Sequence, residues 1–249
     1  MRRKRCMAVF LTLIIAASGL SACGKKNKNK STEETSVTEA VTEDTQAPIN
    51  LTKTYKRGRV NGQKYKNEFF NFSCDFDEGW RVYNDEEIDQ INQFQAGAAT
   101  DENVALVLEE SYLLDMAAAR YDGKGSISMI VRTIQTDYFS ERDYAESGMD
   151  AAAESLRQSG YTDVKAEIGS AQFCGRERVS INISAVSPPD ASAGDATRAD
   201  AEKEADPNSA EDRRIFEKQL TTVNGKYICV LTFKADSEKE VDEIIKLFK

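Results

Sequence analysis

The chain has 249 residues, 30% of them charged, with a formal net charge of -9 and no histidine. That balance excludes the basic footprint expected of a nucleic-acid binder. The missing imidazole excludes every Ser-His, Cys-His or His-ligated zinc mechanism.

The N-terminus opens with the four cations Arg2, Arg3, Lys4 and Arg5, runs apolar from Met7 to Ala17, and ends in the small residues Ser18, Gly19, Ser21 and Ala22. This is the order of a secretory signal peptide. The apolar run is too short to span a bilayer, which needs about 20 apolar residues. Leu20-Ser21-Ala22-Cys23 resembles the lipobox of bacterial lipoproteins: an aliphatic residue, two small ones and a cysteine. The resemblance implies cleavage between Ala22 and Cys23 and a diacylglyceryl thioether on Cys23, with acyl chains such as palmitate. It also implies a place on the outer face of the cytoplasmic membrane. Two acyl chains suffice as an anchor, whereas one binds reversibly.

Removing residues 1–22 takes four cations away and moves the net charge from -9 to -13. Residues 23–54 then read as the lipidated cysteine and a disordered tether, with Lys25, Lys26, Lys28 and Lys30 followed by a Thr-, Ser- and Glu-rich stretch. Its typical span is about 30 Å. Those lysines are either a contact for anionic headgroups or a plain solvated spacer.

From Tyr55 to the end the text is patterned enough for one domain, residues 55–249. Asn61-Gly62 signals a type I′ hairpin turn, because Asn-Gly supplies its positive φ angles. Phe70, Phe72, Cys74 and Phe76 share one parity of a half-buried strand. A helix capped near Asn84 or Asp85 carries Ile88, Ile91 and Phe94, and a second, capped by Thr100, carries Val104, Val107 and Leu108. Tyr112 to Tyr121 and Ser126 to Ile134 flank the turn Asp122-Gly123-Lys124-Gly125. Their pairing puts Leu114, Met116 and Ala118 on the face of Val131, Met129 and Ile127.

Ser140 opens a long helix whose inner stripe is Tyr144, Gly148, Ala152 and Leu156, and Gly160 ends it. Two or three strands follow between Thr162 and Val186. Residues 187–212 lose the pattern, with Pro188-Pro189 leading into a strongly acidic run, and read as a disordered insert. The last hairpin turns at Asn224-Gly225. The expected register sets Thr222 opposite Tyr227, Leu220 opposite Cys229, Lys218 opposite Leu231 and Phe216 opposite Phe233. Ser237 and Glu240 read as a capping box before Val241, Ile244, Ile245 and Phe248 at helical spacing.

The run Tyr65 to Trp80 resembles the opening of the PsbP-like domains of many small lipoproteins of Gram-positive bacteria. Tyr65, Asn67, Glu68, Gly79 and Trp80 match, while Asn71 stands where glycine is usual and Asp77 where proline is usual. The resemblance, which extends in element order from about residue 60 to the end, implies an α+β fold: an antiparallel β-sheet flanked by helices, the PsbP-like α/β/α sandwich. The family's better-known relatives, extrinsic photosystem II subunits and a nuclear-import factor that binds a small GTPase, have binding roles.

Little in the sequence points to catalysis. Asp122-Gly123-Lys124-Gly125 hints at a calcium loop, but Arg120 and Lys124 stand where carboxylates are wanted, so a hairpin turn is the better reading. Cys74 and Cys229 share the parity of core residues, and Cys174 precedes Gly175 off the apolar parity, at a candidate bulge. The three read as unpaired thiols, although the odd count also allows one disulfide and one free thiol. Glu86, Glu87 and Asp89 read as a solvated helix face and Trp80 as a core plug. The expectation is therefore a non-catalytic, lipid-anchored extracytoplasmic binding domain at the cell surface. It needs no cofactor or metal, and its partners are the membrane and a protein or other envelope component. The alternatives are an accessory subunit of a membrane complex and a carboxylate-dependent hydrolase; a two-lobed solute-binding protein is disfavoured by the short ordered length.

Overall fold

The computed structural model describes residues 53–134, 140–188 and 213–249, together with the two-residue strands Ala47–Pro48 and Tyr138–Phe139. The stretch read as a signal peptide, Cys23, most of the stretch read as a tether and most of the acidic stretch read as an insert lie outside the described residues.

Within the stretch read as a tether, β1 (Ala47–Pro48) pairs antiparallel with the strand Tyr138–Phe139. Three short strands follow and form a small antiparallel sheet in sequence order: β2 (Arg59–Asn61), β3 (Lys64–Asn67) and β4 (Phe72–Asp75). In β3 the pleat alternates exposed Lys64 and Lys66 with buried Tyr65 and Asn67. Asn71, where the resembled family has glycine, takes φ 58°, a left-handed conformation that asparagine tolerates better than most residues.

β5 (Trp80–Val82) leads into α1 (Asp85–Ile91), which starts at a full capping box. The Asn84 side chain accepts from the Glu87 amide and the Glu87 carboxylate accepts from the Asn84 amide, both at 3.0 Å. This helix is shorter than its apolar spacing suggested. Ile88 is fully buried, but Ile91, at its last turn, is 41% exposed. α2 (Asp101–Glu110) starts at Thr100 and buries Val104 and Leu108, as expected. β6 (Tyr112–Arg120), β7 (Gly125–Thr133) and β8 (Tyr138–Phe139) precede α3 (Glu141–Gln158). The α3 cap is Ser140. At its end Gly160, at φ 85°, donates to Arg157 O, and Tyr161 donates to Leu156 O, a Schellman closure. β9 (Thr162–Phe173), β10 (Arg176–Val186), β11 (Arg214–Asn224), β12 (Tyr227–Ala235) and α4 (Glu238–Ile245) complete the described chain.

Seven strands form one sheet in the order β5-β6-β7-β12-β11-β10-β9, every neighbour antiparallel. One face packs under the small sheet, α2 and α4 and holds the main core, with Met129, Cys229, Leu231 and Phe233 at its centre. The opposite face carries α3 over β9 and β10, and α1 over β6. The fold is thus α+β, an antiparallel sheet flanked by helices.

Three registers differ from expectation for local reasons. Both Asn-Gly hairpins close one residue later than a turn centred on Asn-Gly: Asn61 pairs with Lys64 and Asn224 with Tyr227, so Gly62 and Gly225 take the first loop position, at φ 60° and 59°. Gln63 and Lys226 have no positive φ, so the turns fit the type II′ class, which wants glycine first. In the last hairpin this moves every pair by two: Thr222 faces Cys229, Leu220 faces Leu231, Lys218 faces Phe233 and Phe216 faces Ala235. A two-residue shift keeps the parity, so the face assignments survive.

The β6/β7 ladder slips between Leu114 and Met116, leaving Asp115 as the extra residue. Leu113, not Leu114, therefore faces Val131 in the main core, and Leu114 joins Ile130 and Ile88 on the α1 side. Finally, Cys174-Gly175 is no bulge. With φ 49° and 75° the pair is the two-residue left-handed turn that joins Phe173 to Arg176.

Candidate functional site

The residue displaced by the β6 bulge is the most unusual group in the core. Asp115 is the only charge between Leu113 and Ala119, and its side chain is fully buried. Two segments converge on it. From β3, the Tyr65 hydroxyl donates to Asp115 Oδ2 in a short contact, and Asn67 Nδ2 donates to the same oxygen at 3.0 Å. From the strap before β2, the Gly58 amide donates at 3.0 Å and Arg57 Nε stands 3.7 Å away. The strap passes so close that a Cβ on Gly58 would lie 2.4 Å from the Tyr65 hydroxyl oxygen, which explains the glycine.

The Arg57 side chain, 4% exposed, also pairs with Asp89 on α1. Asp89 is therefore an anchor for the strap, not part of a solvated face. Glu87, besides capping α1, pairs with Arg81 at 2.8 Å. Burial, and then the Asp115 charge, push the hydroxyls of Tyr55 and Tyr65 well above the usual phenol range, so both remain neutral donors. The cluster is closed to solvent. Chemically it is a latch that satisfies one buried carboxylate of β6 with donors from two other chain segments.

Among the described residues an accessible groove of about 220 Å³ lies on the main-core face of the sheet, where β9, β10 and β11 run out from under α4. Lys165, Glu167, Asn182, Ser184, Phe216 and Lys218 supply its floor, and Glu238 its rim. Lys218 is held against that floor, 8% exposed, by Asp242 at 2.7 Å and Glu238 at 3.5 Å. Glu217 belongs by alternation to the opposite face. It is buried there, accepts from Gln219 Nε2 at 2.7 Å, and burial raises its carboxyl above the usual range. The groove thus offers alternating cations, acids and amides around one phenyl ring.

The other residues singled out in the sequence fall as follows. Trp80, 4% exposed, packs tilted against Phe76 with ring centroids 5.4 Å apart and is a core plug. Asp122 accepts from Lys124 N at 2.9 Å and from Arg120 at 2.8 Å, so its oxygens are engaged within the β6/β7 hairpin turn. Cys74 and Cys229 are buried and Cys174 is half-buried; all three are free thiols. Burial pushes the Cys74 thiol up to about 12 and that of Cys229 well above its usual range. Cys23 and Ala22 lie outside the described residues.

Sequence reasoning missed the latch as a unit. The signal was present: one acid inside an apolar strand, and Tyr65 and Asn67 in the motif shared with the resembled family.

No family model matches the chain, and no curated protein matches it. Among solved structures it is similar to cyanobacterial PsbP from Synechocystis sp. PCC 6803, at 11% identity over 77% of this chain and 97% of that one, with a TM-score of 0.41.

Proposed function

We propose that the mature chain is a lipoprotein held by Cys23 on the outer face of the cytoplasmic membrane, where its domain binds a protein or other envelope component and performs no catalysis. The observation that carries the reading is Leu20-Ser21-Ala22-Cys23 directly behind a charged and apolar leader. The open groove beside α4, with charges of both signs around Phe216, supports a binding role for the domain.

The thioether can form only on sulfur, so Cys23→Ala tests the anchor. Wild-type protein should partition into the detergent phase and Cys23→Ala into the aqueous phase or remain as an uncleaved precursor. A wild-type mature chain recovered free in the medium, with an unmodified terminus other than Cys23, overturns the reading.

A further inference from the structure

The large sheet ends on one side at β5, three residues long, and on the other at β9, twelve residues long and about 40 Å in extent. Among the described residues no strand pairs with the outer edge of β9. Natural proteins blunt so long an edge with proline, bulges or charged side chains, and the charges on the regular part of β9, Lys165 and Glu167, are of opposite sign, so they can complement a second copy as well as repel a foreign strand. β9 has no proline, and its irregularity is confined to the start, where the register with β10 slips between Ser184 and Val186 and Asp163 takes φ 47°. From Val164 to Ile168 the strand is regular. Lys165 and Glu167 are exposed on one face, and Val164, Ala166 and Ile168 are half-buried against α3 on the other.

We infer that β9 pairs antiparallel with β9 of a second copy of this chain, about a twofold axis through Ala166. Facing residues in an antiparallel pair share a face, so an axis perpendicular to the sheet must pass through a residue, and each choice can be judged. At Ala166 it sets Lys165 opposite Glu167 of the second copy, and Val164 opposite Ile168, each pair occurring twice. At Lys165 it would face lysine with lysine and Asp163 with Glu167. At Glu167 it would face glutamate with glutamate. At Ile168 it would leave both charges opposite Gly169 and Ala171. An axis at Val164 would pair Lys165 with Asp163, but on the left-handed break at Asp163, where the backbone is not extended. Only Ala166 gives two opposite-charge pairs and two branched aliphatic pairs on regular backbone.

The helix layer agrees with this geometry. α3 lies over both β9 and β10, so its axis sits about half a strand spacing inside β9. The twofold would bring the two α3 helices to about 10 Å, an ordinary interaxial distance.

The test uses the full chain in detergent solution. Ala166→Cys should give a disulfide-linked dimer on mild oxidation, because facing residues in such a pair have Cβ atoms about 5 Å apart, whereas Gln172→Cys and wild type should not. In sedimentation, Lys165→Glu should weaken self-association roughly tenfold, and Lys165→Glu with Glu167→Lys should restore it. Equal cross-linking at 166 and 172, failure of the charge swap to restore association, or a monomer at every concentration overturns the inference. So does a monomer that binds a different protein along this edge.

Discussion

The Tyr65 hydroxyl donates to the Asp115 carboxylate and so ties the small sheet to the large one across 50 residues of sequence. Removing the acceptor leaves the Gly58 amide without its partner, leaves Tyr65 only the weak Met129 sulfur and Asn67 only the tyrosine hydroxyls, and leaves the buried Arg57 to Asp89 alone. Asp115→Ala should therefore cost about 3–5 kcal/mol in urea denaturation. Tyr65→Phe, which deletes one donor and leaves the carboxylate its other partners, should cost about 1–2 kcal/mol. If Asp115→Ala melts within 1 kcal/mol of wild type, on the order of the usual scatter of point mutants, the latch has no energetic role.

Much of this fold was readable because its elements announce themselves locally. Thr100, Ser140 and Ser237 each accept the amide three residues on, as their positions before apolar stripes implied. Glu240 differs in detail, accepting the Ser237 hydroxyl proton at 3.2 Å. Parity also carried across strands, so Cys229 was placed on the correct face although its partner is Thr222 and not Leu220. What was not readable depends on tertiary closeness. Nothing in the chain near Leu113-Leu114-Asp115-Met116 announces a bulge; the carboxylate needs Gly58 and Asn67, 57 and 48 residues away, to make that bulge stable. The groove is equally non-local, since it exists only where α4 stops covering β9 to β11.

Cys229 is fully buried, between the flanking Tyr227 and Leu231 and opposite Thr222, on the face that α4 covers. Its thiol should resist a bulky maleimide in the native protein and react only after unfolding. Cys229→Asp should destabilise by several kcal/mol, because it would bury an unpaired carboxylate near Asp115, whereas Cys229→Ala should cost about 1–2 kcal/mol. Rapid native labelling at this position would show that the strap carrying Tyr55, which packs on the neighbouring Tyr227, does not stay docked.

Glu217 makes stability depend on pH in a definite direction. Its carboxyl is raised from 4.5 by burial, with only Gln219 and Lys234 acting in opposition. The folded state therefore holds a proton that the unfolded state releases first. Stability from this group is fully present below pH 4.5 and is lost as pH rises through the raised folded value. Glu217→Gln keeps an oxygen to accept from Gln219 and removes the charge. At pH 7 the variant should melt higher than wild type, each kcal/mol gained reading as about 2–4 °C. Near pH 4 the two should coincide. A variant less stable at both pH values would show that the carboxylate is ionised and paired.

The acidic insert can be tested from its ends, which the structure holds together. Ser187 N donates to Arg213 O at 3.0 Å, and Arg213 Nη1 donates to Ser187 O at 3.0 Å, so β10 and β11 are already closed at the base of the connection. The strands then run in register from Val186 opposite Arg214 to Ser180 opposite Leu220. A two-residue Gly-Ser bridge in place of Asp190 to Asp212 leaves, with Pro188 and Pro189, a four-residue connection between Ser187 and Arg213, within the two to five residues common in hairpin loops. Shortening the loop lowers its closure cost by about 0.6 kcal/mol per halving. The deletion should therefore melt cooperatively, within a few degrees of wild type or slightly above it. A loss of the cooperative transition, measured by circular dichroism, would mean that the deleted residues supply packing that β10 and β11 require.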